Sequence, residues 1–297
     1  MKKNLYTILF IILISLTLTS CKKKDADLVA SFYPHYDILK NISKDKLKVD
    51  LVVPFGCEVH DFTPTPKDIE MINKSKLFVY ASDKIDVWVK DLINTNINYV
   101  NLSNEVTIEF SDDIGASIHF WTDTLVFVDM IDILKDEIIK IDPENADFYT
   151  ENANNYKTEI LALHDELVSF LNETTHEKVI YFAGHDALGG FSHRYNIEIN
   201  SLIEHFSPEA EQTIRQIENI ISALRETNTE YLFIEELTTP RVAETIRREL
   251  QKDNLDVTLL ELHGYHNISL NEGKRGVTYA DLLRQNIKHI KQAFNWV

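Results

Sequence analysis

The sequence predicts an α/β protein with two Rossmann-like (βα) lobes, each with a mainly parallel sheet, joined by one long rigid connecting helix. Short apolar runs alternate with helical patterns, and this alternation occurs in two groups along the chain. Between the groups lies a segment in which apolar residues recur every three or four positions. The two groups predict the lobes, and the periodic segment predicts the helix between them.

The N-terminal group contains four apolar runs of strand length, with helical patterns after two of them. The second helical pattern has a clear start signal, because Thr65 can cap the helix and Pro66 suits its first turn. The predicted strands are residues 28–32, 49–53, 77–80 and 99–102, and the predicted helices are residues 36–42 and 66–72.

The C-terminal group repeats this alternation of strands and helices. Its predicted strands are residues 179–182, 197–202, 231–234 and 257–262, and its predicted helices are residues 210–227 and 240–252.

The connecting helix is predicted from Pro143 to about Asn172, a stretch without glycine or further proline. At about 1.5 Å per residue it would run roughly 40 Å, enough to span both lobes as a stiff backbone. Its apolar face consists of Tyr149, Ala153, Tyr156, Ile160, Leu163, Leu167 and Leu171.

The first residues are typical of a lipoprotein signal. Lys2 and Lys3 precede an apolar, hydroxyl-rich stretch, residues 5–19, which is short for a membrane span. The stretch leads into Cys21, which we expect to be the lipid-attachment residue, anchoring the mature chain at the extracytoplasmic face of the cell membrane. An uncleaved signal anchor with an incidental cysteine is the alternative.

These features predict five segments. They are a signal peptide (1–20), a lipidated tether (21–27), an N-terminal lobe (28–142), the connecting helix (143–174) and a C-terminal lobe (175–297). The formal net charge of −17 argues against nucleic acid as a partner, which would need clustered positive charge. Beyond the signal, Cys57 is the sole cysteine, so an internal disulfide is excluded.

Ligand-type side chains follow several of the predicted strands. Glu235 and His263 each come directly after a strand, and His266 follows shortly after His263. His185 lies three residues beyond another strand, and His60 follows a fourth after a short loop. Open α/β sheets bind ligands at the carboxyl ends of their strands, so the joint pattern favours a metal site between the lobes. A lone histidine at such a position would more often be structural.

Several short sequence motifs occur along nearly the whole mature chain. The N-terminal lobe contains ASFYP at 30–34, VVP at 52–54 and EVHDFTPTPKD at 58–68. The C-terminal lobe contains GHDALG at 184–189, FIEE at 233–236, LHGYHN at 262–267 and GVTY at 276–279. On these motifs the chain resembles the cluster A-I metal-binding proteins of bacterial ABC importers, also called zinc/manganese solute-binding lipoproteins.

The resemblance implies metal ligands residue by residue. It assigns this role to His60, to His185 and, through a histidine-x-tryptophan element, to His119, although Ser117-Ile118 stands where Asp-Pro is usual. For the fourth ligand the chain offers His263, His266 and Glu235, and their spacing does not decide among them. Asp61, Asp186 and Glu236 are candidates to orient the imidazoles by accepting a hydrogen bond from the ring nitrogen that does not bind the metal.

Two features depart from the family pattern. Residues 104–118 contain no histidine, so the histidine-rich loop of many zinc-specific members is absent. Cys57 stands where a different residue is usual, and we expect a free buried thiol there, with a soft metal ligand three residues from His60 as the alternative.

The resemblance implies a binding protein that captures Zn²⁺ between its lobes and delivers it to the permease of an ABC transporter. We expect a monomer without enzymatic activity. Three histidines plus a fourth nitrogen or oxygen favour tetrahedral zinc, whereas manganese, the alternative ion, prefers more oxygen ligands. Because a ligating imidazole must be neutral, affinity should fall below about pH 6.

Two other functions compete with metal transport. A surface adhesin would agree with a role sometimes ascribed to the family. A zinc hydrolase would need a ligand position left open for water, and the chain has neither an H-E-x-x-H nor a G-x-S-x-G motif.

Overall fold

The computed structural model describes residues 25–92, 96–109, 117–175, 177–203 and 213–294. The predicted signal peptide and Cys21 lie outside these residues. Within them, no helix combines the length and apolar character that crossing a membrane requires.

The N-terminal lobe is built on a parallel sheet of four strands. They are β1 (Leu28–Ala30), β2 (Val49–Leu51), β3 (Leu77–Tyr80) and β4 (Tyr99–Asn101), in the order β2-β1-β3-β4. Every residue of β1 and β3 is buried, as expected for parallel strands covered on both faces. All four predicted strands of this lobe are confirmed.

Within the described residues, four helices of this lobe have defined bounds. They are α1 (Tyr33–Ser43), α2 (Pro66–Lys74), α3 (Val89–Leu92) and α4 (Leu102–Glu105). The predicted start of α2 is confirmed, because Thr65 accepts the Asp68 backbone N–H and the Asp68 carboxylate accepts that of Thr65. This reciprocal cap fixes the end of the loop that carries His60.

Two long helices separate the sheets. They are α5 (Thr124–Ile141) and α6 (Ala146–Glu173), with a short 3₁₀ turn at Pro143–Asn145 between them. The predicted connecting helix is α6, and its fully buried residues are the seven of the predicted apolar face. Helix α5 was not predicted, because its apolar residues cover more than one face and show no clear periodicity.

The C-terminal lobe has a second parallel sheet of four strands. They are β5 (Val179–His185), β6 (Glu198–Ile203), β7 (Tyr231–Ile234) and β8 (Thr258–Glu261), in the order β6-β5-β7-β8. The helices of this lobe are α7 (Gly189–Tyr195), α8 (Ile214–Thr227), α9 (Arg241–Gln251), α10 (Leu270–Arg275) and α11 (Tyr279–Phe294). The four predicted strands are confirmed, and β5 extends further than predicted, so that it ends on His185.

The lobes are joined through a continuous core that includes residues of both sheets and of α5, α6 and α11. Within it lies the buried carboxylate of Asp37 on α1, which accepts hydrogen bonds from the Tyr156 hydroxyl and from the Tyr279 backbone N–H. These contacts tie α1, α6 and α11 together at the interface between the two sheets.

Candidate metal centre

Four histidines from four separate segments meet at the interface of the lobes. The candidate ligand atoms of His60, His119, His185 and His266 all lie within 4.8 Å of one another. The Nε2 atoms of His60 and His119 are 3.1 Å apart. Each lobe contributes two of these imidazoles, so an ion at this point would contact both lobes.

His60 lies on the loop between β2 and α2, and Glu58 holds its ring in place. One carboxylate oxygen of Glu58, Oε1, accepts the backbone N–H groups of Val59 and His60 at 2.8 and 3.0 Å. The same oxygen lies 2.6 Å from His60 Nδ1. Although burial opposes the charge of Glu58, the hydrogen bonds from His60 lower the pKa of this carboxyl to about 2. A carboxylate on Nδ1 leaves Nε2 free to face the other histidines.

His119 is fully buried at the start of a 3₁₀ turn, Phe120–Thr122. Its carbonyl accepts the backbone N–H and the hydroxyl of Thr122 at 3.0 and 2.9 Å. Its ring packs edge-on against Trp121, with the ring centroids 5.4 Å apart. Trp121 in turn donates its indole N–H to the carbonyl of Gly264 in the other lobe, at 3.2 Å. The position of His119 therefore depends on the contact between the lobes.

His185 is the last residue of β5, and Glu235 directly follows the neighbouring strand β7. The Nδ1 atom of His185 lies 2.5 Å from Glu235 Oε1, and both side chains are buried. Burial disfavours the imidazolium, but the hydrogen bond and charge of Glu235 outweigh it and raise the pKa of His185. The parallel register of β5 and β7 thus brings a histidine and its carboxylate partner to one edge of the sheet.

His266 lies on the loop after β8, where two backbone features aim its ring. Tyr265 adopts a left-handed conformation, with φ of 62°, and Gly264 leaves room for the ring. A Cβ atom on Gly264 would lie 2.9 Å from His266 Cε1 and Nδ1. Glu236 Oε1 is 3.4 Å from His266 Nδ1, and its other oxygen accepts the Gly264 N–H at 2.9 Å.

Glu236 and His266 respond to burial in opposite ways. Burial, together with the neighbouring His185 and His60, lowers the pKa of His266 against the opposing effect of Glu236. Burial would raise the pKa of Glu236, but interactions with the neighbouring His263 and His266 rings and with the Gly264 N–H lower it below its usual range. An ionised carboxylate behind a neutral imidazole is the arrangement that orients a metal-binding histidine.

The buried nitrogens of this cluster fit a zinc ion. Within the described part of the chain, the Nε2 atoms of His185 and His266 have no hydrogen-bond partner. Both residues belong to the four-histidine cluster, so these nitrogens are available to a zinc ion. Tetrahedral zinc with bonds of about 2.0–2.1 Å spaces its ligand atoms about 3.4 Å apart, which the 4.8 Å cluster reaches by small side-chain movements.

The candidates for a fourth ligand occupy different places. His266 is in the cluster. His263 is buried outside it, where its Nδ1 accepts the Tyr265 backbone N–H at 2.8 Å. Glu235, expected as a possible ligand, instead faces His185 Nδ1 from behind.

Other sequence expectations at the site need correction. Asp61 is exposed, and Glu58, which the sequence analysis passed over, contacts His60 Nδ1. Asp186 is adjacent to His185, but the His185 Nδ1 faces Glu235. Cys57 is exposed, so the expectation of a buried thiol was wrong, and it lies outside the four-histidine cluster.

Comparison with known proteins places this geometry in a family. The family model of ZnuA, the periplasmic component A of the zinc-uptake complex, matches residues 28–293. The high-affinity zinc uptake system protein ZnuA of Bacillus subtilis is 28% identical over 283 residues, covering 89% of this chain and 86% of that protein. The manganese-binding lipoprotein MntA of Halalkalibacterium halodurans is 23% identical over 265 residues, covering 88% of this chain and 85% of that protein.

Solved structures share the architecture. The metal-dependent lipoprotein YcdH from Bacillus subtilis superposes with a TM-score of 0.77 at 26% identity, covering 90% of this chain and 98% of that one. The zinc-bound ZnuA-like domain of Streptococcus pneumoniae AdcA has the same fold, with a TM-score of 0.77 at 19% identity, covering 92% and 100%. Since the family match runs through both lobes and includes all four clustered histidines, this chain belongs to the ZnuA family.

Proposed function

We propose that this protein is the extracytoplasmic metal-binding component of an ABC importer, which captures Zn²⁺ between its lobes and delivers it to a membrane permease. The observation that carries the proposal is the convergence of two imidazoles from each lobe, with ligand atoms within 4.8 Å of one another. An ion held in this way stabilises one placement of the lobes, and a permease can recognise that placement.

The donor set favours zinc over manganese. Four imidazole nitrogens suit tetrahedral zinc, whereas manganese prefers more oxygen ligands and lies at the weak end of the divalent affinity order. The carboxylates closest to the cluster, Glu58, Glu235 and Glu236, face Nδ1 atoms. They therefore orient the ligands and add no oxygen to the coordination shell.

The same donor set favours binding over catalysis. Catalytic zinc sites keep one position for water or substrate, and four protein ligands fill a tetrahedral shell. We therefore assign His60, His119, His185 and His266 as the ligands of a transported ion and no residue as a catalytic group.

The anchoring of the protein is part of the proposal. Cleavage before Cys21 and acylation of this residue would hold a monomeric body at the outer face of the membrane, close to the permease. The segments 1–20 and 21–27 would then be signal peptide and tether, and the boundaries 28–142, 143–174 and 175–297 stay a prediction for the lobes and their connecting helix.

Zinc binding by the lipid-free chain, begun at residue 22, tests the proposal directly. We expect one zinc per chain by mass spectrometry under native conditions. Competition with a zinc chelator should show at least about tenfold weaker binding for His60→Ala, His119→Ala, His185→Ala and His266→Ala, since each removes a ligand.

His289→Ala is the matched control, because this histidine lies on α11 outside the cluster, with its Nδ1 near the Glu261 carbonyl. Its zinc affinity should stay within about threefold of wild type. His263→Ala should lose less affinity than His266→Ala, since His263 only accepts the Tyr265 N–H behind the His266 ring. Wild-type affinity in the four ligand variants, or a larger loss in His263→Ala than in His266→Ala, would contradict the assignment.

A further inference from the structure

We propose that Asn267 is a positioning residue that latches the His60 loop to the C-terminal lobe and thereby sets how long the captured ion is held. This inference rests on the proposed function, and it concerns the rate of release. It assigns a role to a residue that touches no ligand atom of the cluster.

The latch consists of three hydrogen bonds between the lobes. The Asn267 side-chain amide donates to the carbonyls of Pro54 and Cys57, at 2.8 and 2.9 Å. The Gly56 backbone N–H donates to the Ile268 carbonyl at 2.8 Å. Asn267 Oδ1 accepts the Ile268 N–H at 2.9 Å, so this amide both donates across the interface and accepts within its own loop. The side chain is shielded from water, because Asn267 is 1% exposed.

The latch joins two ligand-bearing loops. Asn267 directly follows His266, and the carbonyls it holds lie three and six residues before His60. Separation of the lobes at this point therefore moves His60 and His266 apart in the same step. Gly56 suits the turn between the two carbonyls, since its φ of 82° lies in the left-handed region that glycine adopts without strain.

A cavity lies beside the latch, at the place where the two lobes would part. It has a volume of about 150 Å³, and its walls are residues 56–59 of the His60 loop and residues 235–238 of the other lobe. His266 and Asn267 also line it. Opening the latch widens this cavity onto His266, which gives the ion a path lined by carboxylates.

The kinetics of zinc release distinguish a latch from a general contribution to stability. In Asn267→Ala the buried carbonyls of Pro54 and Cys57 lose their hydrogen-bond donor. An unpaired buried carbonyl is unfavourable, and opening of the loop would expose it to water, so the variant should favour the open loop. We expect zinc dissociation, measured by stopped flow into excess chelator, to become at least about tenfold faster. The association rate constant should stay within about twofold, because the four imidazoles remain.

Asn152→Ala is the matched control. Its side-chain amide also donates to a backbone carbonyl of another element, that of Ile42, at 3.0 Å, but away from the cluster. Its zinc dissociation rate should stay within about twofold of wild type. Hydrogen exchange of metal-free protein adds an independent readout, in which the Gly56 amide should exchange faster in Asn267→Ala and unchanged in Asn152→Ala.

Asn267→Asp provides a second variant of the same size. It retains the acceptor for the Ile268 N–H but loses both donated bonds, so it should also speed dissociation, and it decides the question if Asn267→Ala does not fold. An unchanged dissociation rate, or a loss of affinity caused by slower association alone, would contradict the proposed role of Asn267. Failure of the wild-type protein to bind zinc would overturn the proposed function instead.

Discussion

The two halves of the metal centre orient their imidazoles by different means. In the C-terminal half, His185 and His266 follow strands, and their Nδ1 atoms face Glu235 and Glu236, whose side chains are 9% and 6% exposed. In the N-terminal half, His60 lies on a loop, and its partner Glu58 has a side chain that is 43% exposed. Buried charges interact more strongly than exposed ones, because water and salt screen them less.

This difference indicates an order of events. His185 ends β5, His266 lies on the loop after β8, and both rings face buried carboxylates, so the C-terminal ligands form the more firmly oriented half-site. The His60 loop is held mainly by its turn and by contacts across the interface, so it is the part best suited to open and close. Capture would then begin on the C-terminal half and end when the loop brings His60 to the ion.

The largest expected effect is that of Glu235→Gln. A glutamine keeps the shape but loses the charge 2.5 Å from His185 Nδ1, so the ring loses its orienting partner. Zinc affinity should fall about 10- to 100-fold, the usual effect of removing such a partner, as measured by chelator competition. If Glu235→Gln loses no more zinc affinity than Glu58→Gln, the two halves of the centre do not differ in the way described.

Gly264→Ala should give the next largest effect. The added Cβ would lie 2.9 Å from the His266 ring, which must move and take its Nε2 away from the cluster. We expect about tenfold weaker zinc binding in the same assay. Wild-type affinity in Gly264→Ala would show that the His266 ring has more freedom than the structure indicates.

Glu58→Gln should have a smaller effect on zinc binding. Its carboxylate is partly exposed, so the charge it supplies to His60 is screened. We expect a two- to fivefold loss of affinity that becomes smaller at high salt. A salt-independent loss as large as that of Glu235→Gln would show that the carboxylates of the two halves contribute equally to zinc affinity.

The smallest expected effect on zinc binding is that of Asp86→Asn. This variant tests how burial changes the pKa of an acid in the N-terminal lobe. Asp86 accepts the N–H groups of Ala81 and Ser82 at 2.8 and 3.3 Å. Burial raises its pKa from 3.8 to about 7, whereas Glu236 in the other lobe keeps its charge because it faces two histidines.

The sign of the pH effect follows from this raised pKa. The folded protein holds the proton of Asp86 more tightly than the unfolded chain, so its stabilising contribution is complete below about pH 4 and is lost as pH rises through about 7. The asparagine in Asp86→Asn does not titrate, so this variant does not lose stability in this way as the pH rises. In urea unfolding of metal-free protein, the variant should gain stability relative to wild type between pH 5 and pH 8, and parallel pH profiles would contradict the assignment.

The architecture follows closely from sequence pattern. Strands such as β1, β3 and β7 are apolar runs, and α6 shows its buried face in the spacing of seven residues. Helix α5 was not predicted, because its apolar residues nearly encircle the helix. Helix α11 was also left unassigned, although its buried residues recur on one face and gave a usable signal.

The centre was less predictable than the fold. His263 and His266 are separated by two residues, and the backbone conformation of Tyr265 decides which ring faces the cluster. No residue pattern specifies that conformation, since a tyrosine rarely adopts it. Glu58 was present in a recognised motif, and its position two residues before His60 on a loop was the available signal for a carboxylate partner.

X-ray absorption at the zinc edge of the loaded, lipid-free protein tests the central claim most directly. The account predicts four nitrogen donors at about 2.0–2.1 Å with the outer-shell scattering of imidazole rings. A sulfur donor, or a shell with two or more carboxylate oxygens, would contradict a centre built from two histidines of each lobe.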